Sequence, residues 1–206
     1  MNNNLTKRFI SSLIILPITL LFIVNSSLFF IFFLSILFLV TSYEWVKMNK
    51  KKILYKTLGI TFLILSFYSA FYLRAYTGLN FFLFIILISI FTDMGGYIFG
   101  KYFKGPKLTK ISPNKTYSGV IGSLIMPVFA GLLYIQYIQH PLGVIVPIKL
   151  DKLSNNFDLT ILIMILSISI ISQLGDLTIS YFKRLSKIKD TGKIIPGHGG
   201  LLDRVD

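Results

Sequence analysis

Cysteine and charge are what this 206-residue sequence has least of. It contains no cysteine, which excludes a disulfide framework and any metal site built on thiolates, including a Cys/His zinc cluster. Charged residues make up 14% of the chain, against about 25% in average soluble domains, so a water-soluble globule would lack the charge to cover its surface. Hydrophobic residues make up 54%, which excludes intrinsic disorder. An integral membrane protein is the class that remains.

Six apolar runs approach the twenty or so residues that a helix needs to cross about 30 Å of hydrocarbon. They cover residues 9–24, 28–46, 57–76, 80–100, 117–138 and 159–182. We therefore predict an all-α fold, a polytopic transmembrane helical bundle of about six spans. Lys7 and Arg8 before the first run also fit a signal peptide, but no small-x-small cleavage site follows and the next run begins at once.

Basic residues are divided unequally between the loops on the two sides of this bundle. Eighteen of the 21 fall on the side of the N-terminus, and the other three are Arg74, Lys149 and Lys152. Cytoplasmic loops carry an excess of Lys and Arg, so the division predicts a cytoplasmic N-terminus and places residues 139–158 outside. Topology and an anionic lipid surface account for the net charge of +13, so we expect no nucleic acid partner.

Two acidic residues, Asp93 and Asp176, are assigned to predicted spans. An ionisable group at membrane depth is costly and usually marks a functional cavity, although a headgroup-level position also fits Asp176. On a helix, Asp176 shares one face with Ser172, Ser180 and Lys183. This polar stripe predicts a site at the end of the last span.

The segment after that span combines basic residues, glycines and aspartates. Glycine lets a backbone approach a phosphate closely, and Lys and Arg neutralise it. Asp203 and Asp206 share a face if this end is helical, as oxygen ligands of Mg²⁺ should. Ser112 and Lys115, in the loop after the fourth span, can also bind phosphate oxygens. His198 is equally compatible with donating a hydrogen bond to phosphate and with a structural role in its loop. A solvated basic tail is the alternative.

The order of these residues resembles a known family. The end of the chain is Ser180-x-Phe182-Lys183-Arg184-x4-Lys189-Asp190-x-Gly192-x2-Ile195-Pro196-x-His198-Gly199-Gly200-Leu201-x-Asp203-Arg204-Val205-Asp206. It looks like the signature of phosphatidate cytidylyltransferases (CDP-diacylglycerol synthases). Two upstream motifs are similar to the same family. They are Asp93-x3-Tyr97-x2-Gly100-Lys101 and Ser112-Pro113-x-Lys115-Thr116-x2-Gly119.

The resemblance implies a membrane enzyme that joins CTP and phosphatidate to give CDP-diacylglycerol and pyrophosphate in phospholipid biosynthesis. It also implies Mg²⁺ at an acidic centre, which a monovalent cation such as K⁺ can share. The expected location is the cell membrane (the inner membrane in a Gram-negative cell), with the active site facing the cytoplasm. The expected partners are CTP, phosphatidate and the lipid bilayer, and a homodimer is compatible with them.

The resemblance and the residues together define the predicted site. The predicted domain is a single one over residues 1–206, in which 1–76 holds the N-terminal spans and 77–206 the catalytic part with cytoplasmic loops 101–116 and 183–206. The predicted catalytic residues are Asp176, Lys183, Arg184 and Asp203, and the predicted metal ligands are Asp176, Asp203 and Asp206. The predicted substrate-binding residues are Ser112, Lys115, Ser180, Lys189, Asp190, His198 and Arg204.

Two other functions stay open at this point. A transporter for an anionic solute would use Asp93 and Asp176 to line a path. An inactive, C-terminally truncated remnant of the enzyme is the other, because family members usually continue past the final aspartate with another hydrophobic segment. A second departure is Ser118, where the family commonly has Glu. Incubating membranes with labelled CTP, phosphatidate and Mg²⁺ would separate the three functions. Product formation indicates the enzyme, solute flux indicates the transporter, and neither indicates the remnant.

Overall fold

The fold is known from a computed structural model that describes residues 3–25, 27–49, 53–109, 115–136, 159–192, 194–195, 197 and 199–205. Helices dominate this part of the chain. Their bounds are α1 Asn3–Val24, α2 Ser27–Met48, α3 Ile53–Tyr76, α4 Leu79–Tyr102, α5 Tyr117–Tyr134, α6 Leu159–Leu185 and α7 Leu202–Val205.

Five of these helices, α2 to α6, are long and apolar enough to cross a membrane, and Ile10–Val24 of α1 forms a shorter apolar stretch. The prediction of an all-α, polytopic membrane bundle is therefore confirmed. Several helices extend past the predicted runs, as α1 does from Asn3 and α6 to Leu185. Polar residues continue a helix at headgroup level because the backbone hydrogen bonds remain satisfied there. The predicted outer segment 139–158 lies outside the described residues.

The described chain divides into two compact units. Unit 1 comprises Met1–Leu79 with Phe182–Asp206, and unit 2 comprises Asn80–Tyr181. The prediction of a single domain over residues 1–206 stays a prediction, and each unit is described by itself.

Unit 1 is held together by an aromatic cluster around Trp45 of α2, which is buried. The Trp45 indole Nε1 donates a hydrogen bond of 2.9 Å to the Tyr55 carbonyl of α3. The Phe182 ring lies edge-on to both residues, with centroid distances of 5.0 Å to Trp45 and 5.5 Å to Tyr55. A Cβ at Gly59 of α3 would collide with the Trp45 ring, so only glycine fits there. The cluster joins α2 and α3 to the residue that precedes Lys183.

Unit 2 has a core of aliphatic and aromatic side chains from α4, α5 and α6. Its buried members are Phe84, Ile88, Tyr134, Ile135, Ile161 and Ile165. A Cβ at Gly122 would lie 2.6 Å from the Gly95 carbonyl oxygen, so these glycines let α4 and α5 approach closely. A buried hydrogen bond of 3.1 Å from the Thr92 hydroxyl to the Ser169 hydroxyl links α4 to α6.

Candidate active site

In unit 1 the end of α6 meets the short helix α7 through an ion pair. Lys183, in the last turn of α6, places its Nζ 3.0 Å from Asp203 Oδ1. The other carboxylate oxygen, Asp203 Oδ2, accepts hydrogen bonds from the backbone N–H groups of Thr191 (2.8 Å) and Gly200 (3.0 Å). Both oxygens of Asp203 are therefore occupied by donors from this chain.

These hydrogen-bond donors determine the direction in which the pKa of Asp203 is shifted. Burial by itself would raise the pKa of the carboxyl group, because it disfavours the charged form. The hydrogen bonds from Thr191, Lys183 and Gly200 outweigh burial and hold the pKa of Asp203 below its usual range. Asp203 is consequently a carboxylate at neutral pH and supplies the negative charge that balances Lys183.

The segment between the two helices folds back on itself. Ile195 and Gly199 exchange both backbone hydrogen bonds, at 3.0 Å and 3.2 Å. The turn between them requires glycine, since φ is 78° at Gly197 and 95° at Gly199. This turn brings residues 199–203 alongside Thr191.

A second carboxylate, that of Glu44 in α2, accepts hydrogen bonds from this segment, and sequence reasoning missed it. Glu44 is 1% exposed. Its Oε2 accepts hydrogen bonds from the Thr191 hydroxyl (2.9 Å) and Leu202 N–H (2.9 Å), and its Oε1 accepts one from Leu201 N–H (3.1 Å). The signal that could have found it is the one used for Asp93 and Asp176, because Glu44 also falls inside a predicted span, 28–46.

In unit 2 a second ion pair joins Lys115 to Asp176, with Nζ 2.5 Å from Oδ2. Asp93 of α4 interacts electrostatically with both residues. That Asp93 and Asp176 mark a functional cavity stays a prediction. The two aspartates and Lys115 form a group of mixed charge, in which Asp93 and Asp176 each lie nine residues before the C-terminal end of their helix.

Backbone pairing places Lys115 there. Leu108 N–H donates to the Lys115 carbonyl at 2.8 Å, and Tyr117 N–H donates to the Pro106 carbonyl at 3.1 Å. Thr116 caps α5 by accepting a hydrogen bond of 3.1 Å from Gly119 N–H. The loop after α4 is thereby closed, and Lys115 is held at the start of α5.

The remaining predicted residues are distributed over both units. Ser180 is half-buried on α6, while Arg184, Lys189, Asp190 and Arg204 are exposed in unit 1. A Cβ at Gly199 would lie 3.4 Å from the Asp190 Cβ, so Asp190 adjoins the turn. The predicted residues outside the described chain are Ser112, His198 and Asp206.

The donor atoms in unit 2 suit Mg²⁺. This ion often binds to one or two protein carboxylates and completes its coordination with phosphate and water, which Asp93 and Asp176 can accommodate. Within the described ranges, no group of three or more His, Cys, Asp or Glu residues could hold a metal ion. Sharing of one Mg²⁺ by Asp176, Asp203 and Asp206 stays a prediction, because the first two fall in different units and Asp206 is not described.

Comparison with known proteins gives the family. Residues 51–206 match the model of the cytidylyltransferase family. This chain belongs to that family. The expected resemblance is confirmed, and both ion pairs lie within the region matched to this cytidylyltransferase family. Glu44 lies outside it.

Curated relatives carry a more specific name. A phosphatidate cytidylyltransferase of Brucella suis biovar 1 (strain 1330) is 42% identical over 126 residues, which are 61% of this chain and 40% of that protein. Those of Staphylococcus haemolyticus (strain JCSC1435) and Staphylococcus aureus (strain COL) are 40% and 39% identical over 137 residues, or 66% of this chain and 47% of each relative. The match therefore spans less than half the length of these relatives.

Proposed function

We propose that this membrane protein is a CTP:phosphatidate cytidylyltransferase, which transfers CMP from CTP to phosphatidate and releases pyrophosphate. The observation that carries the proposal is the pair of Lys–Asp contacts, Lys115–Asp176 and Lys183–Asp203, within the family-matched region. Ammonium groups beside carboxylates at the ends of apolar helices suit a reaction between a lipid phosphate and a triphosphate. The names of the relatives supply the substrates.

The reaction needs charge neutralisation more than a strong base. An anionic oxygen of the phosphatidate phosphate attacks the α-phosphorus of CTP, forming a new P–O–P linkage. The bond from the α-phosphorus to the oxygen that bridges to the β-phosphate breaks, and pyrophosphate leaves with that electron pair. Because the nucleophile is already ionised near neutral pH, the obstacle is to bring two anions together. Positioning and electrostatic stabilisation are the main tasks of such a site.

The basic residues have distinct parts in this proposal. Lys183 and the neighbouring Arg184 bind phosphate groups of CTP or phosphatidate, and Arg184 is exposed enough to reach a soluble nucleotide. Lys115 exchanges Asp176 for a phosphate oxygen when substrate arrives. Ser180, Lys189, Asp190 and Arg204 are proposed as further substrate contacts. Asp203 orients the Lys183 ammonium group through their 3.0 Å contact.

Asp176 and Asp93 are the residues that would hold Mg²⁺ in unit 2. When bound, the ion supplies positive charge for the triphosphate and the departing pyrophosphate. The carboxylates would fix its place, and Lys115 forms an ion pair with Asp176.

The site is proposed to face the cytoplasm from the cell membrane. Eighteen of 21 basic residues, Lys115 and Lys183 among them, fall on the side predicted to be cytoplasmic. CTP is a charged solute of that compartment, whereas phosphatidate lies in the bilayer. A site at the cytoplasmic ends of membrane helices meets both.

The test uses the purified chain in detergent with radiolabelled CTP, phosphatidate and Mg²⁺. We expect labelled CDP-diacylglycerol and one pyrophosphate for each CMP transferred. Diacylglycerol, which lacks the phosphate nucleophile, is the matched substrate control and should give no product. Absence of product from folded protein, with the fold monitored by fluorescence of the single tryptophan, Trp45, would overturn the proposal.

A further inference from the structure

A buried carboxylate from α2 is hydrogen-bonded to the segment that leads into α7, the helix that contains Asp203. Glu44 accepts hydrogen bonds from the Thr191 hydroxyl and from the N–H groups of Leu201 and Leu202. These donors lie 147, 157 and 158 positions away along the sequence. A carboxylate has no hydrogens to donate, so it suits a site made of three converging donors.

Two glycines provide independent support, because they leave room for the same carboxylate. A Cβ at Gly192 would lie 2.5 Å from Glu44 Oε1, and a Cβ at Gly200 would lie 2.5 Å from Glu44 Oε2. A side chain at Gly192 would require the carboxylate to withdraw, and one at Gly200 would also displace the Thr191 hydroxyl, which would lie 2.1 Å from its Cβ. The loop backbone is thus shaped around Glu44 from both sides.

Thr191 connects Glu44 to the ion pair. Its hydroxyl donates to Glu44, while its backbone N–H donates to Asp203 Oδ2 at 2.8 Å. Asp203 Oδ1 in turn contacts Lys183 Nζ at 3.0 Å. A continuous path of hydrogen bonds therefore runs from Glu44 through Thr191 and Asp203 to the ammonium group of Lys183.

We propose that Glu44 is a positioning residue that orients the Lys183 ammonium toward substrate phosphate by holding the loop at residues 191–202. The inference rests on the proposed function. Lysine carries its charge on a flexible four-carbon stem, so a fixed partner is needed to keep that charge in place. Glu44 acts through Thr191 and Asp203.

Thr191 offers the sharpest test, because two substitutions separate the hydroxyl from the rest of the side chain. Thr191→Val removes the hydrogen bond to Glu44 but keeps the backbone N–H to Asp203, and Thr191→Ser keeps both. In the full chain, we expect Thr191→Val to lower kcat for CDP-diacylglycerol formation by about ten- to a hundredfold with KM for CTP changed less than about threefold. Thr191→Ser should restore most of the loss.

Amide hydrogen exchange gives a second readout that needs no activity. In Thr191→Val and in Glu44→Gln, exchange should accelerate at residues 199–202 and stay unchanged in α4 and α5. The Gln amide group can accept through one oxygen only, so at least one donor loses its partner. Unchanged exchange in both variants, or an equal loss of kcat in Thr191→Val and Thr191→Ser, would overturn the inference.

A glycine pair provides the steric control. Gly200→Ala should accelerate exchange and lower kcat as Thr191→Val does, because its Cβ would lie 2.1 Å from Thr191 Oγ1 and 2.5 Å from Glu44 Oε2 and would separate these hydrogen-bonded atoms. Gly175→Ala should leave both unchanged, since a Cβ at Gly175 meets nothing within 4 Å. If Gly200→Ala behaves like Gly175→Ala, the close packing of Glu44 against the loop is contradicted.

The outcomes separate the two proposals. If the wild-type chain forms no CDP-diacylglycerol yet exchange at residues 199–202 depends on Glu44, the proposed function fails while the role of Glu44 in holding the loop stands. If the wild-type chain is active and Thr191→Val only reduces the amount of folded protein, with kcat of the folded fraction unchanged, Glu44 is structural and the positioning role fails.

Discussion

The two Lys–Asp pairs use the same side chains in different settings. In unit 1, Lys183 and Asp203 have side chains that are 14% and 7% exposed, and backbone N–H groups occupy the second oxygen of Asp203. In unit 2, Lys115 and Asp176 are 27% and 34% exposed, and the described residues give Asp176 one ion-pair partner, Lys115. The first pair is built into its loop, whereas the second can exchange partners.

The comparison shows that an aspartate of the family signature, such as Asp203, can have both oxygens occupied by donors of its own chain. Asp203 Oδ2 cannot lose its two hydrogen bonds unless the backbone at Thr191 and Gly200 moves. Asp176 can exchange Lys115 for a cation at little cost, because exposed ion pairs contribute about 0–1 kcal/mol. We therefore propose that Asp203 mainly orients Lys183 and that Asp176 binds the incoming cation.

Asp203→Asn should have the largest effect, since it removes stability and activity together. The substitution removes the carboxylate that lies 3.0 Å from the Lys183 ammonium, whose side chain is 14% exposed, and breaking a buried pair of this kind costs about 3–5 kcal/mol. Chemical unfolding monitored by Trp45 fluorescence should show this loss, and product formation should fall to background. A free energy of unfolding within about 1 kcal/mol of wild type would show that the first pair is as replaceable as the second.

Asp176→Asn should separate activity from stability. We expect turnover to fall by at least about a hundredfold, as when an electrostatic group of an active site is removed. The free energy of unfolding should change by less than about 1 kcal/mol, because the pair is partly exposed. Near-normal CDP-diacylglycerol formation by purified, folded Asp176→Asn protein would contradict the assignment.

Acidification should affect unit 1 through Asp203. Its pKa is lower in the folded protein than the ordinary value of 3.8, so its stabilising contribution is complete above that value and is lost as pH falls through the folded pKa. Equilibrium unfolding followed by Trp45 fluorescence should therefore show stability decreasing below about pH 4. Asp176→Asn is the matched control and should retain this decrease. Its absence in wild type would mean that Asp203 is not held ionised.

Salt should produce the smallest effect and act on unit 2. At about 1 M salt the screening length is about 3 Å, so the partly exposed Lys115–Asp176 pair should be weakened more than the buried one. Lys115→Met should cost less than about 1 kcal/mol at low salt and less again at high salt, as measured by chemical unfolding. If the loss of unfolding free energy does not depend on salt, the Lys115–Asp176 pair is as well shielded from solvent as the Lys183–Asp203 pair.

Much of the fold was predictable because the membrane restricts it. Every buried backbone group needs a partner in hydrocarbon, so apolar runs of about twenty residues form helices whatever their neighbours are. The observed α2 to α6 follow the predicted runs for this reason. The helix ends were predicted less closely, because polar residues at headgroup level, such as Lys183 and Arg184, continue a helix without a hydropathy signal.

The residues of the site could be predicted from the sequence, but the contacts between them could not. Lys115, Asp176, Lys183 and Asp203 could be selected by residue type and by the family signature. Which lysine contacts which aspartate could not be selected, since 20 positions separate Lys183 from Asp203. Glu44 was missed because its partners lie at the other end of the chain.

The sequence by itself determined that this is an all-α membrane protein of the cytidylyltransferase family, because hydrophobic length and a contiguous motif are local properties. The tertiary structure alone decided that Asp203 is held by Thr191 and Gly200 and that Glu44 holds the loop around it. A buried carboxylate is stable only where donors converge on it, and convergence depends on the path of the whole chain.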